Sequence, residues 1–148
     1  MPNLRRVSPT EAKQLLGEAY TYVDVRTVQE FEALHPEGAL NVPIESMGPS
    51  GPVPNAEFVP LMCRLFELDR KIVLGCATGV RSLRAARLLL EAGFANVVDQ
   101  RAGMDGARTA YGGLAEAGWA ASGLPVASGP GEGSYEAVQR RMRRGTGW

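Results

Sequence analysis

Residues 71–82 read KIVLGCATGVRS, and the fold follows from how this stretch is parsed. Ile72, Val73 and Leu74 form a short apolar run of the kind a fully buried parallel strand shows. Gly75 and Cys76 end it, and Leu83 to Glu91 (LRAARLLLE) reads as a helix closed by Gly93. Cys76 therefore stands between a strand and a helix, and Ala77 to Arg81 must curl tightly enough to turn main-chain N–H groups inward. Gly79 is where such a loop needs a permissive backbone. Arg81 brings a guanidinium to its end, and Ser82 is expected to cap the helix that follows.

That placement has a chemical consequence. A thiol of ordinary pKa about 8.5 is favoured as thiolate by a helix N-terminus, inward amides and a nearby guanidinium. The same groups bind an anion. Cys76 is thus a candidate nucleophile, with Ala77, Thr78, Gly79, Val80, Arg81 and Ser82 as its anion-binding loop. Alternatively Cys76 is a small buried apolar residue, as most free cysteines are. A glycine-containing loop running into Arg-Ser is not ordinary core composition, which favours the reactive reading.

Upstream, Leu4 to Val7 is expected as a short edge strand. Ser8-Pro9-Thr10-Glu11 opens a helix with an N-cap, a first-position proline and a capping box; Ala12, Leu15 and Leu16 give it an apolar face. Tyr22 to Val25 reads as a strand in which Asp24 needs a partner. Asp24 and Arg26 either form a buried network supporting the loop or touch substrate at the strand's carboxyl end; the structural role is favoured. Thr27 to Leu34 reads as a short helix with Phe31 and Leu34 facing inward. His35, the only histidine, is read as a turn residue at the helix end rather than a catalyst.

Ala39 to Val42 is a brief strand, and Glu45 to Asn55, with three prolines and two glycines, is expected to be a loop without regular structure. That loop either borders the site or merely connects. Glu57 to Leu68 reads as a helix with Phe58, Leu61, Leu65 and Leu68 toward the core. Cys63 within it is read as a packing residue rather than a resolving thiol. Asn96 to Asp99 is a further strand. Arg101 to Gly113 then leaves a carboxyl end beside the reactive loop, either as a lid or anion-recognition arm carrying Arg101 and Arg108, or as a surface insertion. Ser128 to Gly133 has linker composition. Tyr135 to Arg144, with Arg140, Arg141, Arg143 and Arg144, reads as a solvated terminal helix rather than a dock for an acidic partner or RNA.

A chain of 148 residues is long enough to bury one domain's core. Sixteen basic and sixteen acidic residues leave no overall field to recruit nucleic acid or a membrane. No apolar run reaches the roughly 18 residues of a membrane span, and residues 1–20 lack a signal-peptide pattern. Two cysteines are too few for a secreted disulfide scaffold, so a cytoplasmic, reducing setting is expected. One histidine without clustered ligands argues against a metal site, and no cofactor is expected.

The segment CATGVRS resembles the active-site loop of rhodanese-domain sulfurtransferases, whose single-domain members often read Cys-x-x-Gly-x-Arg-Ser. Tyr22 to Arg26 with Glu30-Phe31 (YVDVR…EF), His35 to Pro43 (HPEGALNVP) and Gly118 to Val126 (GWAASGLPV) resemble further motifs of that family, in order. The resemblance implies an α/β fold: an open sheet of about five mostly parallel strands with helices on both faces. It implies a rhodanese-like domain over residues 1–126, followed by a linker and basic tail over 127–148. It also implies a Cys76 persulfide, formed from thiosulfate or a similar donor and discharged to cyanide, a thiol or a protein. Asp24, Arg26, Arg101 and Arg108 are the supporting residues.

Six residues run from Cys76 to Arg81, whereas the related cell-cycle phosphatases and arsenate reductases use a loop one residue longer. The shorter loop fits sulfur transfer. Thr78 and Val80 put no lysine inside the loop, and the Gly-Val pair also occurs in relatives using mercaptopyruvate; thiosulfate stays the first donor because Arg81 keeps a charge at the rim. A non-catalytic binding module is the alternative, lowered by the retained cysteine. About a dozen residues after Arg101 depart from the compact family pattern.

Overall fold

Alternating and continuous apolar runs build one central sheet. The computed structural model describes residues 4–145. The chain runs β1 (Arg5–Val7), α1 (Pro9–Leu16), β2 (Thr21–Asp24), α2 (Val28–Ala33), β3 (His35–Pro36) and β4 (Leu40–Asn41). A hairpin of β5 (Glu45–Gly48) and β6 (Gly51–Pro54) precedes α3 (Phe58–Leu65), β7 (Lys71–Gly75), α4 (Val80–Glu91) and β8 (Asn96–Gln100). A second hairpin, β9 (Ala107–Arg108) with β10 (Leu114–Glu116), leads to β11 (Val126–Ala127) and α5 (Tyr135–Arg143).

The main sheet has the order β1-β8-β7-β2-β4, and every neighbouring pair is parallel. Period-two alternation assigns its faces. Ile72, Leu74 and Cys76 join Val23 and Val25 against Leu61, Leu65, Ala85, Leu89 and Val138, from α3, α4 and α5. Val73, Tyr22 and Val98 face Ala12, Leu15 and Phe31, from α1 and α2. Helices therefore cover both faces, which is why β7 can be apolar from Ile72 to Leu74. Parallel strands also bring their carboxyl ends to one edge, so Cys76 emerges beside the ends of β2 and β8. Capping boxes start α1 at Ser8 with Glu11 and α2 at Thr27 with Glu30.

Several local expectations are corrected. Residues 45–54 form a regular hairpin, since a two-stranded ribbon leaves outward positions where prolines displace no ladder bond. Leu34 and Leu68 lie at the surface: Leu34 caps α2 in extended conformation and Leu68 follows the end of α3, so neither keeps the helical phase. Cys63 is exposed. The buried stripe of α3 is Phe58, Leu61, Met62 and Leu65, and Cys63 falls on the other side of it. The terminal helix is not a solvated appendage: α5 buries Ala137 and Val138, and Asn41 N–H donates to Gly133 O at 2.7 Å. Among the described residues, no helix is long and apolar enough to cross a membrane.

Candidate active site

Cys76 leaves β7 directly after Gly75, where a side chain would collide with the Tyr22 hydroxyl. Tyr22 is buried, its ionisation pushed upward chiefly by desolvation, so it stays a neutral hydroxyl beneath the loop. The loop turns at Gly79 with φ +91°, a left-handed conformation that also makes it the N-cap of α4. Ser82, expected as that cap, sits inside the first turn instead. Its hydroxyl lies 3.4 Å from Cys76 Sγ, and Gly79 N–H donates to the same sulfur at 3.1 Å.

The loop's carbonyls are held from behind. Cys76 O accepts from Met104 N–H at 2.8 Å and Ala77 O from Asp105 N–H at 2.8 Å. Gly79 O accepts from Arg6 Nη2 at 3.1 Å. A trans peptide points its N–H opposite its C=O. The amides of Ala77, Thr78 and Val80 therefore turn away from these anchors. Gly103 allows the approach: with φ +64°, a Cβ there would stand 2.4 Å from both the Cys76 and Ala77 carbonyl oxygens.

Three polar residues that the sequence reading passed over build this rear wall. Gln100, fully buried, accepts from Ala102 N–H at 2.8 Å and Gly103 N–H at 2.9 Å, shaping the turn that clamps the loop. Asp99, also fully buried, accepts from Arg6 Nε at 2.7 Å. Burial pushes the Asp99 carboxyl above its usual range, while hydrogen bonding from Ser82 and the Arg6 charge oppose that rise. The result is a chain of polar groups from Arg6 through Asp99 and Ser82 to the sulfur. Its sequence signal was the Asp-Gln pair following Val97 and Val98 at the end of a strand, the same kind of anomaly as Asp24 in β2.

The front of the loop differs. Arg81 does not present a free guanidinium at the rim; it forms a fork with Glu30, Nη1 to Oε1 at 2.7 Å and Nη2 to Oε2 at 2.9 Å. That fork, with donors from Thr27, holds the Glu30 carboxyl down at about 2. Arg84 reaches Glu45 of the first hairpin at 3.2 Å. Cys76 itself is only 1% exposed, whereas the Val80 side chain is 71% exposed.

The supporting residues separate into two groups. Arg26 is buried and forks onto Asp24, with Nη2 to Oδ2 at 2.7 Å, and donates to Leu34 O at 2.6 Å. Asn41 Nδ2 donates to the carbonyls of Asp24 and Arg26, each at 3.0 Å, so this network staples β2 to β4. His35 Nδ1 lies 2.6 Å from Phe31 O and its ring stacks on Phe31, away from the sulfur's partners. Arg101 pairs with Glu116 through two contacts of 2.9 Å, and Arg108 donates to Asp105 O at 3.2 Å. Neither contacts the sulfur. Both line a groove of about 520 Å³ beside the outer face of Thr78, Gly79 and Val80.

A family model described as a rhodanese-like domain matches residues 8–110. The chain is similar to thiosulfate sulfurtransferase 16, chloroplastic, of Arabidopsis thaliana: 38% identical over 120 residues, 81% of this chain and 90% of that one. It is 36% identical over 112 residues to rhodanese-like domain-containing protein 17 of the same plant, covering 74% and 69% of the two chains. Its backbone is similar to the crystal structure of Rv0390 from M. tuberculosis, with TM-score 0.69, 26% identity, and 84% and 97% of the chains covered.

Proposed function

The chain belongs to the rhodanese-like domain family, and from that premise we propose that it is a sulfurtransferase working through a Cys76 persulfide. The Cys76 thiolate attacks the outer sulfur of thiosulfate. The S–S bond of the donor breaks, sulfite leaves with the bonding pair, and a persulfide remains on Cys76. An acceptor nucleophile such as cyanide then attacks the terminal sulfur, giving thiocyanate and returning the thiolate. This covalent route splits one transfer into two displacements.

The observation that carries the reading is the Gly79 N–H held 3.1 Å from Cys76 Sγ in a loop whose carbonyls are tied backward. An amide fixed before the reaction stabilises charge on sulfur without reorganisation cost. The Ser82 hydroxyl accepts from the Cys76 thiol at 3.4 Å while its own proton serves Asp99, so the loop amide is the donor that remains for a thiolate. Because Arg81 is already paired, a donor anion meets its charge only by competing with Glu30.

The test is an incubation with thiosulfate and cyanide followed by intact-protein mass measurement. Thiocyanate forms, and the protein gains one sulfur atom at Cys76; both disappear in Cys76→Ser. Absence of the sulfur adduct in the wild type overturns the reading. A non-catalytic binding module is the second reading, favoured by the near-complete burial of Cys76, and it predicts neither product.

A further inference from the structure

The 520 Å³ groove beside the reactive loop is walled by Arg6, Arg84, Arg87, Arg101 and Arg108, and its lining contains no carboxylate residue. This is a local excess in a chain whose charges balance overall. Arg6, Arg84 and Arg101 are each engaged with an acidic side chain. Arg87 and Arg108 are exposed and, among the described residues, have no carboxylate within ion-pair distance. Thr78, Gly79 and Val80 of the Cys76 loop line the same groove, so it lies against the outer face of that loop, and its guanidiniums attract negative charge.

We propose that this groove docks an acidic, cysteine-bearing segment of a partner protein, which takes the sulfur from Cys76. The proposal rests on the sulfurtransferase reading. Thiosulfate is far smaller than the groove, and from Val80 to Arg87 the helix rises about 10 Å, so a single small dianion spans only part of the charge. A site for a free small molecule normally encloses most of its ligand. Here the unpaired guanidiniums stand on exposed side chains, a wall suited to a partner that brings its own surface to cover them. Arginine forks recognise carboxylates with geometric specificity. The inserted hairpin supplies Ala107 and Arg108 as the far wall, so residues 101–116 contribute to acceptor choice. In the transfer, the partner's thiolate attacks the terminal persulfide sulfur. The Cys76 S–S bond breaks, Cys76 leaves as thiolate, and the partner cysteine becomes the persulfide.

The experiment uses the full chain and two synthetic peptides with one cysteine each, one flanked by glutamates and one by glutamines. With protein loaded from thiosulfate at low salt, the acidic peptide accepts sulfur about ten-fold faster, and the advantage collapses at high salt. Arg87→Glu removes the preference while thiosulfate loading and discharge to cyanide stay unchanged. In parallel, fluorescence anisotropy follows the same peptides carrying serine for cysteine, so that docking is read without sulfur transfer. Loading with equal rates and equal binding for the two peptides overturns the docking proposal. So does a preference that survives Arg87→Glu. Selective binding of the acidic peptide by a protein that never loads sulfur overturns the sulfurtransferase reading and leaves the groove as an acidic-peptide site. Equal acceleration by glutathione and by the acidic peptide replaces a protein partner with a free anionic thiol, and overturns the proposal in that respect.

Discussion

The two sides of the reactive loop are built on different principles. Behind it, Asp99, Gln100 and Gly103 are buried and hold the loop through main-chain contacts and an ion pair to a half-exposed Arg6. In front, Arg81–Glu30 and Arg84–Glu45 are side-chain ion pairs with 20% to 55% exposure on the arginines. The rear wall sets where the amides point and cannot shift without leaving buried polar groups unsatisfied. The front wall exchanges one anion for another at small cost, because water already screens it. Under the proposed reaction, fixed geometry serves where charge develops on sulfur, and adaptable charge serves where an anionic donor arrives.

The largest effect is expected from crowding the rear wall. Gly103→Ala sets a methyl against two carbonyl oxygens at a left-handed position, and should cost about 3 kcal/mol. The urea midpoint measures it, and sulfur loading falls with it. An unchanged midpoint would mean that the rear wall yields as readily as the front.

Asp99→Asn keeps the shape but removes the charge behind Ser82. Single-turnover sulfur loading is expected to slow about ten-fold, because Arg6, which anchors Gly79 O, loses its charged partner, with stability falling by about 1–2 kcal/mol. Burial raises the Asp99 carboxyl, so in the wild type its ionisation costs stability as pH climbs above the ordinary 3.8. Denaturation midpoints measured across that range should lose this component in the variant.

Glu30 has the opposite sign. Its carboxyl titrates at about 2 in the fold against an ordinary 4.5, so its contribution is complete above 4.5 and is lost as pH falls toward 2. With the Glu30 side chain 34% exposed, the loss is about 1 kcal/mol once solvent screening is allowed for. Glu30→Gln should flatten that part of an acid titration followed by circular dichroism. Freed from its partner, Arg81 should also lower the KM for thiosulfate.

The smallest effect belongs to Arg84–Glu45, the front pair with the more exposed arginine. Glu45→Gln should move the urea midpoint by less than about 0.5 kcal/mol, and a larger shift would make the first hairpin part of the fixed wall.

Much of the architecture was legible because it is written in short-range chemistry. The apolar run of Ile72 to Leu74 and the capping box at Ser8 each act within one turn or one strand. So does the glycine at 79. These marked a buried strand, helices and a tight loop after Cys76, while the sheet of about five parallel strands was what the family resemblance implied. Boundaries failed where a backbone left its helical phase, as at Leu34 and Leu68, and where prolines met a ribbon that tolerates them.

The partners that hold the loop, as opposed to the loop itself, were decided by the tertiary structure. Arg6 and Asp99 stand 93 positions apart, and Arg81 and Glu30 stand 51 apart; periodicity carries no information across such gaps. They meet because parallel pairing sets β1 beside β8 and brings α2 to the loop at the end of β7, where burial makes a charged group costly without the partner that water would otherwise supply.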